Sequence, residues 1–361
     1  MEDTLTVPPI SAAMVLEDFG GADKLHMAEV PTPLPAHSGE MLVRVHATSI
    51  NPIEWKMREG FGLPRFAWRR ALGAKPILGL DFAGTVVDAR GTSFARGDAV
   101  MGALPLHGAY AEYVVVQPAD PRTGVARKPA EISFEEAALM PFAGLVAYAG
   151  LVTHGRMSAS APGARVLIVG ASGGVGHLAV QMARHALGAA LVVGVCSSRN
   201  AEFAKACGAH EVIAHDTESV ADIAERYPQW ANSFDLIFDT IGIDTYYSKL
   251  ARRLLRPDGR FVTAALPQSV DGRPGEDVNL LGGLVMGAKL LWRHATGRYR
   301  LITGLLGGLP SHEGVPAMAQ WLKAGKLRPH QSASFPLSQI AEAHRLSETG
   351  KTVGKISIRI Q

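Results

Sequence analysis

The segment Gly170-Ala171-Ser172-Gly173-Gly174-Val175-Gly176 follows an apolar run, Arg165-Val166-Leu167-Ile168-Val169. It precedes a stretch with apolar residues at Val175, Leu178, Ala179, Met182 and Ala186. Glycines between a buried strand and an amphipathic helix allow a tight turn, close approach of a ligand to the backbone, and close helix–strand packing. The amides that open the helix attract an anion. The chemistry implied is pyrophosphate binding, with Ser172, Gly173, Gly174, Val175 and Gly176 as the cradle. A turn whose glycines serve packing alone is the competing reading, and the strand–turn–helix context weighs against it.

A site for an unphosphorylated ribose carries an acid about 20 residues beyond the last glycine. Here that place is Val195-Cys196-Ser197-Ser198-Arg199-Asn200, with no Asp or Glu. The hydroxyls of Ser197 and Ser198 and the guanidinium of Arg199 suit a 2′-phosphate, so the cofactor expected is NADPH. The blander reading makes Ser197 a helix cap and Arg199 a solvated cation, and the two are compatible. Thr240 and Ile241, after Asp239, and Ala264 and Ala265 end two later predicted strands, where an open α/β sheet lines its ligand crevice. Thr240 and Ile241 are expected on the nicotinamide side, and Asp239 is expected to be structural.

The elements that must position these residues fall into two textures. In Met41–Ala47 the odd positions are apolar and 44 and 46 are polar, the period of a half-buried strand. Similar runs at Asp81–Asp88, Asp98–Ala103 and Ala109–Gln117 predict a small, strongly coiled β-domain. From Ser133, an N-cap with Glu136 three residues on, strands alternate with helices. The strands are Arg165–Gly170, Ala190–Cys196, Glu211–Ala214, Phe234–Asp239 and Arg260–Ala265, with helices to Leu187 and through Cys207. That alternation predicts βαβ units and a parallel sheet. A last strand is expected at Lys355–Ile360. The expected division is 1–138 with 305–361 as the β-rich substrate domain, and 139–304 as a doubly wound Rossmann domain.

With 361 residues the chain is long enough for two such domains. Its net charge of +3 is dispersed rather than blocked, which excludes the basic stripe of a nucleic-acid-binding face. The only cysteines, Cys196 and Cys207, build no disulfide framework and suggest a reducing compartment. The acidic, proline-rich start lacks the pattern of a signal or transit peptide. Leu280–Leu291, interrupted by Lys289, is too short to span a bilayer. A soluble, cytoplasmic protein without stable membrane insertion is expected.

With both halves read, the chain resembles the zinc-free quinone oxidoreductase branch of the medium-chain dehydrogenase/reductase superfamily. The likeness is to chloroplast-envelope quinone oxidoreductase homologues and mitochondrial reticulon-interacting reductases. The residues that carry it are Ser49-Ile50-Asn51-Pro52-Ile53-Glu54-Trp55-Lys56, Leu78–Gly84, Gly108–Tyr113, Ala171–His177, Cys196–Arg199, Phe234–Gly242 and Gly354-Lys355-Ile356. The resemblance implies a GroES-like fold for the β-rich domain, NADPH-dependent reduction, and a homodimer. Zinc-dependent members place a Cys ligand near Ser49–Asn51 and a His-Glu pair at Leu80-Asp81. Two cysteines, both in the Rossmann half, cannot supply the usual thiolates. His46, His107 and His177 read as strand, loop and helix residues, so no metal is expected.

The resemblance further implies that Asn51 lines the nicotinamide pocket, either donating to a substrate carbonyl or orienting the carboxamide. Alternatively, Asn51 holds its Asn-Pro turn. Ile53 would wall the pocket. Lys56 either stabilises a developing enolate or is a solvated loop lysine. Tyr110 and Tyr148 either donate a proton or pack with a hydrated hydroxyl. Val146 stands where related sequences often carry a cofactor-contacting Thr, which puts that contact in doubt. Leu280–Leu309 is a candidate substrate lid, dimer-forming strand or membrane-touching surface, with dimer contact plus pocket wall favoured, and the insertion Phe66–Ala71 is a candidate border of the substrate entrance.

Without a Lewis acid, hydride goes most readily to a carbon that is already electrophilic. The function expected is reduction of an activated C=C bond, as in an enone, enal or enoyl group, or of a quinone, on a small-molecule substrate. A stand-alone enoyl reductase or tailoring enzyme, and a non-catalytic NADPH-binding regulatory or structural protein, are the alternatives.

Overall fold

The computed structural model describes residues 7–60, 65–242, 246–265, 298–302 and 309–360, with Ala288, Trp292, Arg293 and Ala295. Its strands are β1 (Ile10–Leu16), β2 (Leu25–Pro31), β3 (Met41–Ile50), β4 (Asp81–Asp88), β5 (Ala99–Ala103), β6 (Tyr113–Val116) and β7 (Gly124–Arg127). There follow β8 (Arg165–Val169), β9 (Leu191–Cys196), β10 (Glu211–Ala214), β11 (Phe234–Asp239), β12 (Leu255–Thr263), β13 (Tyr299–Leu301), β14 (Gln331–Pro336) and β15 (Lys355–Arg359).

Two compact units share these strands. One comprises Met1–Leu145, Pro310–Ala324 and Pro329–Gln361, the other Val146–Leu309 and Gly325–Arg328. The first boundary thus falls at 145/146, inside the helix Pro141–Tyr148. The expected boundary at 304/305, like most of 280–309, lies outside the described residues.

The first unit holds a seven-stranded sheet in the order β14-β15-β3-β4-β5-β7, with β6 pairing β3, and a separate β1–β2 pair. Strand β3 pairs with β15, β4 and β6, and its register against β4 shifts twice, at Leu42/Val43 and Val45/Ala47. Such bulges raise local twist and let one long strand serve several partners, which is the origin of the coiling expected. Met41, Val43 and Val45 enter a core with Phe82, Val86, Val100 and Val114. Ala109–Glu112 departs from the expected strand. Its backbone bonds go to separate segments: Tyr110 N–H to Leu78 O, Met14 N–H to Tyr110 O, Val45 N–H to Glu112 O. No single neighbour offers it a ladder.

The second unit holds a six-stranded sheet, β10-β9-β8-β11-β12-β13, parallel throughout. Strands run outward from β8 in both directions, so chain order reverses between β8 and β11. That is the switch point at which doubly wound sheets bind ligands. Buried Leu167, Val169, Val193, Ile237 and Phe261 pack one face of this sheet. The helix after β8 is α-helical over Gly176–Gln181 and widens to π-type turns at Met182–Ala186. Cys196 and Cys207 are free and buried, and burial pushes both thiols up to about 11. Among the described residues no helix is long and apolar enough to cross a membrane.

Candidate functional site

The C-terminal edge of the parallel sheet gathers the cofactor residues expected from the sequence other than Asn51, which lies in the first unit. Four neighbouring strands deliver them: β9 leads to Ser197–Arg199, β8 to the glycine turn, β11 to Thr240 and Ile241, and β12 to Ala264 and Ala265. The turn is built for a chain without side chains. Gly170 has φ +80°, and a Cβ there would sit 2.4 Å from Thr240 Oγ1. A Cβ on Gly176 would lie 1.9 Å from Gly170 O, so the helix start and the strand end touch backbone to backbone. The residues present therefore fit a pyrophosphate cradle.

The turn's neighbours are fixed by short bonds. Thr240 Oγ1 donates to Val169 O at 2.8 Å, tying the end of β11 to β8. Buried Asp239 accepts from the N–H groups of Ile241 (2.9 Å) and Gly242 (3.1 Å), the structural role expected of it. Ala264 N–H donates to Asp239 O at 2.9 Å, and Ala265 N–H to Thr263 Oγ1 at 3.3 Å. Ile241 remains 41% exposed, a large apolar side chain left facing the edge. His177 is buried with Nδ1 2.9 Å from Gly173 O, a helix residue bonded to the turn. Asn200 Nδ2 donates to Ser172 Oγ at 3.1 Å. Ser197 precedes a short helical turn but makes no side-chain cap bond. Ser198 is engaged by a residue the sequence reading did not single out, Asp216, which follows β10.

The catalytic residues expected in the first unit have a different fate. Asn51 is buried, and its whole amide is committed. Nδ2 donates to Asp81 Oδ2 (2.8 Å) and Glu54 Oε1 (3.3 Å), while Oδ1 accepts from Lys355 Nζ at 2.5 Å. Carboxylates on one side and an ammonium on the other fix the amide's orientation. Both N–H bonds are used, so Asn51 has no donor left for a substrate carbonyl or a carboxamide. It positions instead. The Glu54 carboxylate also accepts the Asn51 backbone N–H at 2.6 Å, one arm of a capping box at the helix Pro52–Glu59.

Tyr110 is also a positioning residue rather than a proton donor. It is fully buried, its hydroxyl 2.6 Å from Glu54 Oε2 and 3.1 Å from His344 Nε2. Burial, followed by the Arg58 charge, pulls the His344 imidazole down to about 3, so the ring is neutral. Arg58 can only donate, and its Nη1 lies 3.3 Å from His344 Nδ1. The ring proton is therefore on Nε2 and donates to Tyr110, whose own proton points at Glu54. Burial and the Glu54 charge raise the Tyr110 hydroxyl well above its ordinary range. Arg58, fully buried, closes the chain through ion pairs to Glu59 (2.9 Å) and Glu348 (2.7 Å).

At the other end of this network, Lys355 Nζ meets Asn51 Oδ1, Ile50 O (2.9 Å) and Asp81 Oδ2 (3.5 Å). Asp81 also accepts from Ser49 Oγ (2.5 Å) and Phe142 N–H (2.6 Å). Burial, then the Asp81 charge, pushes the Glu54 carboxyl up to about 7, and burial pulls the Lys355 ammonium down. Sequence reasoning missed Glu54, Asp81, Lys355 and His344 as a unit, because 304 residues separate Asn51 from Lys355. The signal available was the polar residues at the ends of otherwise apolar strands, at Ser49, Asp81 and Lys355.

Lys56 is half-buried on the helix Pro52–Glu59, with Nζ 5.7 Å from the centre of the Trp55 ring. His46 bonds Thr85 Oγ1 at 3.0 Å and stacks near Phe134, a strand residue as expected.

The comparisons with known proteins cover the same ground. An alcohol dehydrogenase GroES-like domain model matches residues 37–129, and a zinc-binding dehydrogenase model matches 207–358. The zebrafish NAD(P)H oxidoreductase RTN4IP1, mitochondrial, is 31% identical over 97% of this chain and 92% of its own. The chloroplast envelope quinone oxidoreductase homolog of Arabidopsis thaliana is 30% identical over 94% and 95%.

The chain belongs to the quinone oxidoreductase branch of the medium-chain dehydrogenases/reductases.

The solved quinone oxidoreductase of Coxiella burnetii superposes with a TM-score of 0.77 at 28% identity, covering 98% of this chain and all of that one. The β-rich unit is accordingly GroES-like, the parallel-sheet unit is the Rossmann fold, and the branch uses a nicotinamide cofactor. One expectation is overturned. These relatives are mitochondrial or chloroplast proteins, which points to an organelle rather than the cytoplasm. The cytoplasmic expectation rested on cysteine count and terminal composition, and neither separates one reducing compartment from another.

At the positions where the resemblance places zinc ligands, Ser49 and Asn51 donate to Asp81, and Asn51 and Asp81 meet Lys355. Among the described residues no group of three or more His, Cys, Asp and Glu is placed to hold a metal ion.

Proposed function

We propose that this protein is a metal-independent, NADPH-dependent reductase of activated C=C bonds or quinones. The observation that carries the reading is the sheet edge, where the glycine turn, Thr240–Ile241, Ala264–Ala265 and the Ser197–Arg199 segment converge on one switch point. Ser172, Gly173, Gly174, Val175 and Gly176 would hold the pyrophosphate, Arg199 the 2′-phosphate, and Thr240, Ile241, Ala264 and Ala265 the nicotinamide half. When bound, the reduced nicotinamide supplies a hydride.

What supports metal independence is the donor set: Ser49–Asn51 and Leu80-Asp81 offer no Cys or His at the positions where the resemblance places zinc ligands, and a ketone oxygen would meet no Lewis acid there. An enone or quinone already carries electrophilic carbon, so positioning supplies much of the acceleration and the oxygen needs only donors. With Asn51 and Tyr110 committed, Lys56 and backbone amides are the donors proposed. The homodimer expected from the resemblance remains part of this proposal.

Deuterium carried at the transferable position of NADPH should appear on the β-carbon of a reduced enone. Activity should survive dialysis against a strong chelator. Reduction of saturated ketones with enones and quinones untouched, or loss of activity on chelation, would sink the reading. Separately, Arg199→Ala should weaken NADPH binding by about 1–3 kcal/mol, the range for losing a charge-assisted bond, and barely alter NADH. Equal losses for the two cofactors would place Arg199 away from the 2′-phosphate.

A further inference from the structure

The end of β9 carries no acid of its own, but the next strand in the sheet brings a carboxylate to it. Asp216 follows β10, the neighbour of β9 in the sheet. Its Oδ1 accepts the Ser198 backbone N–H at 2.8 Å, and its Oδ2 accepts the Ser198 hydroxyl at 2.8 Å. One carboxylate thus grips both donors of the residue that was expected to bind a 2′-phosphate. The two side chains are exposed at the sheet edge, beside exposed Arg199. Asn200 ties the same segment to the glycine turn through Ser172. The bonds to Ser198 also lower the Asp216 carboxyl from its ordinary range, so it is ionised at neutral pH.

We propose that Asp216 sets the cofactor preference, acting as an internal anion that holds the 2′-phosphate donors until NADPH displaces it. This inference rests on the dinucleotide reading above and deepens it. A 2′-phosphate carries about −1.5 to −2 charges at neutral pH and must take Ser198 from a carboxylate. A ribose 2′-hydroxyl meets no such competition and can donate to that carboxylate. Arg199 favours the phosphate and Asp216 opposes it. NADPH remains the preferred dinucleotide, and the balance of these two side chains fixes by how much.

The test is a titration of NADPH and NADH fluorescence with the parent protein and with Asp216→Asn and Asp216→Ala. Both variants should tighten NADPH by about five- to tenfold at low salt, with NADH unchanged or weaker. The gain should shrink toward 0.5 M salt, because an exposed charge is screened. An NADH/NADPH dissociation-constant ratio unchanged within about twofold in both variants, at every salt concentration, would overturn the role given to Asp216. Failure of the parent to bind either dinucleotide would overturn the cofactor reading itself, and this inference with it. The two failures are therefore distinguishable.

Discussion

Replacing Lys355 by Met is expected to cost about 3–5 kcal/mol of folding stability, the range for breaking a buried charge pair from one side. The ammonium is 3% exposed and its partner Asp81 not at all. Removing it orphans Asn51 Oδ1 and leaves the Asp81 and Glu54 carboxylates facing each other through the Asn51 amide. The loss has a pH signature that simple packing damage lacks. Glu54 already titrates at about 7 in the folded protein against an ordinary 4.5, and Lys355 is one of the groups holding it down. A carboxyl raised on folding binds its proton more tightly in the folded state, so stability falls as pH rises from about 4.5 through 7. Without the ammonium that window extends upward. The deficit of Lys355→Met should therefore be largest above pH 7 and shrink toward pH 5. Urea unfolding of both proteins at several pH values measures it. A deficit below about 1 kcal/mol, or one independent of pH, would show that the network does not depend on this charge.

Gly176→Ala is expected to raise the dissociation constants of NADPH and NADH alike, by about a hundredfold, or roughly 2.7 kcal/mol. The methyl group would stand 1.9 Å from Gly170 O and 2.9 Å from Ala171 Cα. Both obstacles are backbone, so relief requires the turn to open and its amides to leave the pyrophosphate, which the two cofactors share. Gly173→Ala is the contrasting case. Its Cβ meets only Gly170 O, at 3.4 Å, so the free protein can accommodate it and any loss of binding reports crowding of the ligand itself. Calorimetric binding titrations, with circular dichroism to confirm retained secondary structure, separate these cases. A dissociation constant within about threefold of the parent for Gly176→Ala would contradict the proposed cradle. Changes shared by both dinucleotides report on the cradle, whereas changes at Arg199 or Asp216 distinguish one dinucleotide from the other.

The sequence by itself determined whatever depends on short-range periodicity. Strands at Asp81–Asp88, Glu211–Ala214 and Phe234–Asp239 have the bounds read from apolar runs, and Ser133 caps its helix through the Glu136 N–H as its spacing required. The glycine turn was legible for the same reason: its geometry is fixed by residues within one βαβ unit. Asp239 was read as structural, and it holds its turn by accepting from the N–H groups of Ile241 and Gly242. Motifs near Asn51, Asp81 and Lys355 sufficed to indicate the family.

Only the tertiary structure decided what those three residues do. An isolated Asn51 offers two donors and an acceptor, and nothing local says whether a substrate or a neighbour will use them. Strand β15 brings Lys355 against β3, and β4 brings Asp81, so two of the Asn51 side chain's three hydrogen bonds come from across the sheet, and the third from Glu54 on its own helix. Tyr110 likewise loses its catalytic prospect to Glu54 and His344, which arrive from distant parts of the chain. The carboxylate that meets Ser198 at the end of β9 comes from Asp216, just after β10, because parallel neighbours bring their C-terminal ends together whatever their separation in sequence. A desolvated polar group must find partners wherever the fold provides them, and for Asn51, Tyr110 and Lys355 the fold brings partners from distant segments of the chain.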